Sequence, residues 1–278
     1  MISRLAGALL RAILVVLLIA TPSLLLPDVS SDVTQIVALI SIFAAALTIF
    51  EYASVYPGIV EFRNAPPFNR LRFLSLFLMV FLISMVVRGE TTPSAMTRVV
   101  SEFAFDVGRA IDFPYSPVRQ IVLLLPDTTV TEHLTRVRTA AGVSYFVSML
   151  TLAVFYFFVR VRNWPLQSGP FNVWINLPTF DPTTGGDVVQ RLERDARFNI
   201  VVGFTMPFFI PAALKASESV FGQVTLDNPQ SMVWIVAAWA FLPASLLMRG
   251  LAMARIAELI ERKRASSARA ARENLQPA

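Results

Sequence analysis

Few side chains in this 278-residue chain could do chemistry, and the missing ones exclude several kinds of site. Cysteine is absent, and His133 is the only histidine. The chain therefore lacks the side chains for a multi-histidine metal site, a bis-histidine haem site or a thiolate-bound cluster. A serine hydrolase would have to rely on His133, and no Gly-x-Ser-x-Gly motif accompanies it. We predict that the chain is not an enzyme and holds neither a metal ion nor a cofactor.

A glycine-rich turn at residues 183–187 precedes a polar helical segment, and a helix N-terminus can bind an anion. The lysine and the spacing of a nucleotide-binding P-loop are absent. A calcium site at Asp181 and Asp187 would need several further oxygen ligands. We interpret Asp187 as the cap of the helix that follows.

The candidate substrate path lies where helix breakers interrupt an apolar run. Gly203, Pro207 and Pro211 fall within residues 200–214, and Pro243 interrupts a later apolar run. Broken helices can expose backbone carbonyls to a substrate, although kinks satisfied by neighbouring helices are more common. The residues that would line such a path are Tyr145, Ser148, Tyr156, Asn199, Thr205, Pro207 and Pro211.

Six apolar blocks carry these residues. Hydrophobic residues make up 55% of the chain and charged residues 15%, with a mean hydropathy of +0.61. A helix needs roughly 20 apolar residues to cross a bilayer. We predict an all-α polytopic membrane protein with six transmembrane helices in one membrane domain, residues 1–255, followed by a basic tail, residues 256–278. The spans are residues 9–26, 33–52, 73–87, 141–159, 200–214 and 232–248.

The first block has the basic start and apolar run of a signal peptide. However, Ala20-Thr21-Pro22 is a poor cleavage site, so we expect the block to remain as a span.

Arginines orient the spans, because short loops rich in basic residues stay in the cytoplasm. They are concentrated before the first span, after the second and fourth, and in the tail, whereas the connection at residues 89–138 is balanced in charge. We predict that both termini are cytoplasmic. The only lysines are Lys215 and Lys263, and this preference for arginine favours a GC-rich bacterial genome. We therefore expect a bacterial inner-membrane protein.

The outer loop, residues 89–138, contains two helical patterns. Val99, Phe103 and Val107 recur at helical spacing within residues 97–111, which predicts an amphipathic helix in the membrane interface. Residues 120–125 are too short to span and form either a re-entrant pore helix or, as we favour, an interfacial lid. Capping-box spacing at residues 129–132 predicts a helix that begins there and runs through the fourth span.

Two connections on the arginine-rich side share a Pro-Phe-Asn sequence, at residues 67–69 and 170–172. The second lies in the inner loop, residues 160–198. So short a match is explained by chance. The alternative is that the two connections form a pair of matching loops that dock a partner on one face of the membrane. The predicted partner contacts are Phe62, Arg63, Pro67, Phe68, Arg70, Phe171 and Trp174.

Because catalytic side chains are missing, the sequence favours an accessory, assembly or scaffold component of a membrane complex. The alternative is a small-solute transporter or channel that uses the kinked fifth and sixth spans. We expect a membrane-protein partner and anionic lipid at the basic tail. No aromatic residues interleave the tail to stack bases, so we expect no nucleic acid.

Overall fold

A computed structural model describes residues 2–56, 58–166, 171–180, 185–222 and 224–273. Pro170 and Asp181, the end of the tail and the side chain of Trp174 lie outside the described part. Within these ranges the chain forms ten helices and no strand. Their bounds are α1 Ile2–Leu25, α2 Ser31–Ala53, α3 Phe68–Thr91, α4 Ala95–Ile111, α5 Pro117–Val122, α6 Thr131–Arg160, α7 Val173–Asn176, α8 Val188–Ala216, α9 Glu218–Phe221 and α10 Pro229–Glu273.

Six of these helices, α1, α2, α3, α6, α8 and α10, are long and apolar enough to cross a membrane. The predicted fold class, an all-α polytopic membrane protein, is confirmed. The helices are longer than the apolar blocks, because further helical turns of polar residues continue them at their ends. At about 1.5 Å per residue, α10 is far longer than the roughly 30 Å of bilayer hydrocarbon. Its exposed end, residues 261–272, therefore projects from the bundle.

The bundle consists of a packed core and a peripheral hairpin. Helices α3, α6, α8 and α10 pack together, and α1 joins them mainly through α3. Helix α2 packs principally on α1 and leaves Ile36, Phe43 and Phe50 exposed. Exposed apolar side chains on a spanning helix face lipid, whose tails are as apolar as leucine. The α1–α2 hairpin therefore forms one edge of the bundle.

Helix α4 packs on α3 and α6 through small residues. Thr97, Ala104 and Gly108 are buried, whereas Val99 and Phe103 of the predicted apolar stripe are exposed. Gly108 crosses α6 at Gly142, where an added Cβ would lie 2.3 Å from the Gly108 Cα. Small side chains permit this close approach and leave the larger apolar ones facing outward.

Helix α6 begins at Thr131, as predicted, but the predicted capping box does not form. Its N-cap is Val130, which has no side-chain acceptor for the free N–H groups. Helix α5 and the residues after it bury Val118, Ile121 and Leu124 in the same core as α3 and α6. This stretch therefore covers one end of the bundle.

Candidate functional site

An aromatic cluster, Phe62, Phe68, Phe155, Trp164 and Phe171, organises the end of the bundle where α2 ends and α3 begins. Its ring centroids lie 4.4 Å apart for Phe62 and Phe68 and 5.2 Å apart for Phe155 and Trp164. Trp164 is 1% exposed, and its Nε1–H donates to the Ala65 carbonyl at 3.1 Å. Because the indole polar atom is satisfied, the whole side chain can be buried.

The connection at residues 58–66, which we call the 58–66 loop, is fixed by Asn176. The Phe62 N–H donates to the Asn176 carbonyl at 2.6 Å, and the Asn64 N–H donates to Asn176 Oδ1 at 3.0 Å. Phe62 has a φ of 53°, an uncommon value for a residue with a side chain. Its buried ring and its hydrogen bond hold that conformation in place.

Glu51 and Arg63 join the 58–66 loop to the end of α2. Glu51 Oε2 accepts from the N–H groups of Gly58, Ile59 and Val60 at 3.0–3.1 Å. The Arg63 guanidinium donates to the last carbonyls of α2, at 2.6 Å to Glu51 and at 2.9 Å to Ser54. Burial lowers the pKa of Arg63, and the Glu51 carboxylate opposes that shift.

A crevice of about 930 Å³ separates the α1–α2 hairpin from α3, α8 and α10, with the 58–66 loop at one end. Apolar side chains from four helices form its wall: Leu14, Val15, Phe73, Met206, Leu242 and Leu246. Five arginines and one carboxylate lie at the loop end, which we call the basic end: Arg11, Glu61, Arg63, Arg70, Arg72 and Arg249. The crevice is therefore apolar along its length and positive at one end.

Besides Arg63, two of these arginines have hydrogen-bond partners within the chain. Arg249 donates through Nε and Nη2 to the Glu61 carboxylate at 2.6 and 2.8 Å. This parallel pair of bonds is the strong geometry for a guanidinium and a carboxylate. Arg11 Nη1 donates to the Gly7 carbonyl at 2.7 Å, and its guanidinium lies 4.6 Å from the Tyr52 ring centroid.

Arg72 differs from its neighbours. Its Nε is buried and has no hydrogen-bond partner among the residues that the structure describes. The guanidinium lies 5.6 Å from the Phe68 ring centroid and 5.8 Å from that of Phe241. Aromatic faces stabilise the charge but accept no in-plane N–H, so hydrogen-bonding capacity remains at the basic end.

This arrangement suits binding rather than bond making or breaking. The crevice lining contains no histidine, and in the described ranges no three histidine, aspartate or glutamate side chains cluster as metal ligands would. Arginine stays protonated and is a poor proton carrier, but its planar fork of donors recognises anions. The chemistry on offer is electrostatic capture of an anionic group beside an apolar surface.

The residues predicted for a substrate path do not share this crevice. Tyr145 stacks on Trp239 at 6.0 Å, and the Ser148 hydroxyl donates to the Ala240 carbonyl at 2.8 Å, so both join α6 to α10. The Pro207 carbonyl, which lacks a helical donor because Pro211 has no N–H, accepts from the Trp239 indole at 3.1 Å.

The remaining path residues lie apart from each other. Pro211 and Asn199 are buried on α8, where the Asn199 amide donates to the Asp195 carbonyl at 2.7 Å. Thr205 and Tyr156 are exposed on the outside of α8 and α6.

Four of the predicted partner contacts, Phe62, Arg63, Phe68 and Arg70, line the crevice. Phe62 and Phe68 are each 1% exposed, and Phe171 packs on Phe62 at 6.4 Å between centroids. Pro67 precedes α3 as its N-cap. Of the two Pro-Phe-Asn phenylalanines, Phe68 is therefore a core residue, and the partly buried Phe171 packs against the same core.

Sequence reasoning missed Arg11, Glu61, Arg72 and Arg249 as a group. Arg11 and Arg249 fit an interpretation as separate interface anchors, because each stands near the end of an apolar block. One feature of the sequence could have grouped them. Successive spans run in opposite directions, which places the arginines of α1, α3 and α10 at the same end of the bundle.

Comparison of the chain with protein-family models, curated proteins and solved structures finds no match.

Proposed function

We propose that the chain is a non-catalytic integral membrane protein that binds an amphiphilic molecule in the crevice between the α1–α2 hairpin and the rest of the bundle. The observation that carries this proposal is the lining itself, which is apolar along four spanning helices and positive at one end. A bilayer molecule with one polar end and one apolar chain matches that division.

The attachment of the hairpin supports entry from the bilayer. Away from the basic end, Leu18 and Leu26 pack into the main core. Nearby, Gln230 donates to the Ser23 hydroxyl at 3.2 Å and Arg88 donates to the Leu25 carbonyl at 3.4 Å. At the basic end, Glu51 and Arg63 tie the hairpin to the 58–66 loop, which leads into α3. The crevice lies between these two attachments.

The distribution of arginines supports one leaflet as the source of the ligand. Arginine-rich connections stay in the cytoplasm, so the basic end faces the cytoplasm and both termini lie there. The ligand then comes from the cytoplasmic leaflet of, in our proposal, a bacterial inner membrane. Because lipid tails solvate apolar side chains as well as leucine does, the apolar wall accommodates a chain without selecting it. The protein therefore selects its ligand through the ligand's polar end.

A crevice-filling variant tests the proposal. Ser245 is a small buried lining residue on α10, and Ser245→Trp would occupy the crevice. The matched control, Ile235→Trp, adds an indole to an exposed site on the same helix, outside the lining. Each protein is reconstituted into vesicles of phosphatidylcholine and phosphatidate, then released for native mass spectrometry.

Wild type and Ile235→Trp should retain one lipid through mild detergent washing, whereas Ser245→Trp should retain none. Thermal unfolding identifies a misfolded Ser245→Trp protein, in which case Leu246→Phe is the second variant. Absence of retained lipid in wild type, or equal retention in all folded variants, would contradict the proposal.

The accessory or assembly role inferred from the sequence is compatible with amphiphile binding. Its support is the projecting end of α10, residues 261–272, where every residue is exposed and basic side chains outnumber acidic ones. Co-purification in mild detergent tests it: a stoichiometric membrane protein should accompany the full chain and be lost when residues 265–278 are removed. Transport has weaker support, because the Pro207 carbonyl, left without a helical donor by Pro211, already accepts from the Trp239 indole.

A further inference from the structure

We infer that the basic end of the crevice is a phosphate site, centred on Arg72 with Arg70, and that the group it binds is the phosphate of an anionic amphiphile. This inference rests on the proposed function, because the apolar part of the ligand occupies the crevice wall. The inference adds the chemical class of the ligand's polar group, which the shape of the crevice alone does not give.

The first argument is the unmet hydrogen-bonding capacity of Arg72. A guanidinium withdrawn from water needs acceptors for its N–H groups, and a buried donor without one is destabilising. Phe68 and Phe241 lie against the guanidinium, but the buried Nε has no partner in the described part of the chain. Arg72 also lines the crevice, so an anion at the basic end could pair with its guanidinium.

The other arginines of the basic end are more fully engaged. Arg249 has the Glu61 carboxylate, Arg63 has carbonyls at the end of α2, and Arg11 has the Gly7 carbonyl and the Tyr52 ring. Arg70 is exposed on the crevice lining. Arg72 and Arg70 are therefore the cations best placed to meet a ligand.

The start of α3 supports the same location. This 24-residue helix carries no acidic residue in its first turn, and its N-cap, Pro67, makes no side-chain cap. Free N–H groups and the helix dipole make such an end positive, which disfavours nearby arginines unless an anion is bound. Phe68, Asn69 and Arg70 of this first turn all line the crevice.

Phosphate fits this end better than a carboxylate. Glu61 shows how a carboxylate is used here, since the guanidinium of Arg249 donates to both its oxygens and the Thr179 hydroxyl also donates to Oε1. A phosphate offers more oxygens and as many as two negative charges, which suits two arginines and a helix N-terminus together. Phe73, one residue beyond Arg72, begins the apolar wall, so an acyl chain can continue from the bound phosphate.

The experiment compares headgroups that share the same acyl chains. Wild-type protein is titrated in detergent with dioleoyl phosphatidate, dioleoyl phosphatidylcholine or inorganic phosphate, and bound species are counted by native mass spectrometry. Arg72→Gln and Arg70→Gln remove one charge each, and Arg72→Lys keeps the charge but loses the fork. Arg98→Gln, at an exposed site on α4 outside the lining, is the matched control.

Wild type and Arg98→Gln should prefer phosphatidate by at least about tenfold, since charge-assisted hydrogen bonds are strong enough for that factor. Arg72→Gln should abolish the preference while retaining phosphatidylcholine, and Arg70→Gln and Arg72→Lys should weaken it. Stoichiometric binding of inorganic phosphate that Arg72→Gln removes would support the anion site and assign it to a free anion.

The failures of the two proposals are distinguishable. Retention of both lipids with no preference, or a preference that survives in Arg72→Gln, would overturn the phosphate site and leave amphiphile binding intact. Failure to retain any lipid would overturn the proposed function as well. Thermal unfolding confirms that each variant is folded, and a folded Arg70→Gln protein provides the test if Arg72→Gln does not fold.

Discussion

Replacing Glu51 by Gln tests whether the 58–66 loop is held by its carboxylate. Glu51 is 3% exposed, and its Oε2 accepts from three backbone N–H groups. Glutamine keeps one acceptor oxygen but loses the charge, and its NH2 group would face the Gly58 N–H, which lies 3.2 Å from Oε1. The substitution therefore weakens all three bonds without changing the size of the side chain.

The expected loss follows from those bonds. A hydrogen bond to a charged group contributes about 1.5–3 kcal/mol and a neutral one about 0.5–1.5 kcal/mol, a difference of about 1 kcal/mol for each bond. Gly58 and Ile59 are exposed, so water can replace part of the hydrogen bonding that their N–H groups lose. We therefore expect Glu51→Gln to lower the free energy of unfolding by about 2 kcal/mol.

Chemical unfolding in mixed micelles measures this loss, and hydrogen exchange locates it. The amides of Ile59 and Val60 should exchange faster in the variant, because their acceptor is weaker. The matched control is Glu132→Gln, whose carboxylate is 80% exposed and pairs loosely with Arg136 at 3.7 Å. It should change stability by less than about 0.5 kcal/mol. Unchanged exchange at residues 58–60 in Glu51→Gln would refute the reasoning.

Three further substitutions test the packing. Trp164→Ala removes the centre of the aromatic cluster and should cost about 3–5 kcal/mol in unfolding free energy; a smaller loss than Ile235→Ala would contradict its role. Gly142→Ala places a Cβ against the Gly108 backbone and should cost about 1–3 kcal/mol, with faster exchange in α4; unaltered exchange would contradict the crossing. The Arg264 guanidinium holds the pKa of Asp187 below its usual 3.8, so this pair stabilises the chain above that pH and the effect is lost as pH falls through the lowered pKa. The difference in melting temperature between wild type and Asp187→Asn should therefore shrink on acidification, and a constant difference would contradict the pairing.

The spans could be predicted from the sequence because a membrane helix satisfies its own backbone and must be apolar over a fixed length. The cap at Asp187, which accepts from the Val189 N–H at 3.2 Å, also followed from local sequence, whereas α6 begins at the predicted place without the capping box that predicted it. These features depend on neighbouring residues. The packing of α4 on α6 depended on Gly142 in another helix, so the periodicity of α4 indicated an amphipathic helix but not its buried face of small residues.

The candidate site could be predicted only in part. Arg63, Phe68 and Arg70 stood out because they are dense in one short connection. Their association with Arg11 and Arg249 required the packing of three spans, which single-sequence patterns do not contain. Likewise, nothing local indicated that Asn176 would fix the 58–66 loop from more than a hundred residues away along the chain.

The most direct test of the central claim is to locate a bound amphiphile in the protein. Phosphatidate with a photoreactive diazirine in its acyl chain is cross-linked to the protein in vesicles, and labelled residues are mapped by mass spectrometry. We expect labelling around Phe73 and Leu246 that an excess of unlabelled phosphatidate suppresses, together with unsuppressed labelling of the lipid-facing Ile36 and Phe43. Labelling confined to that outer face of α2, with none suppressible in the crevice, would contradict the claim.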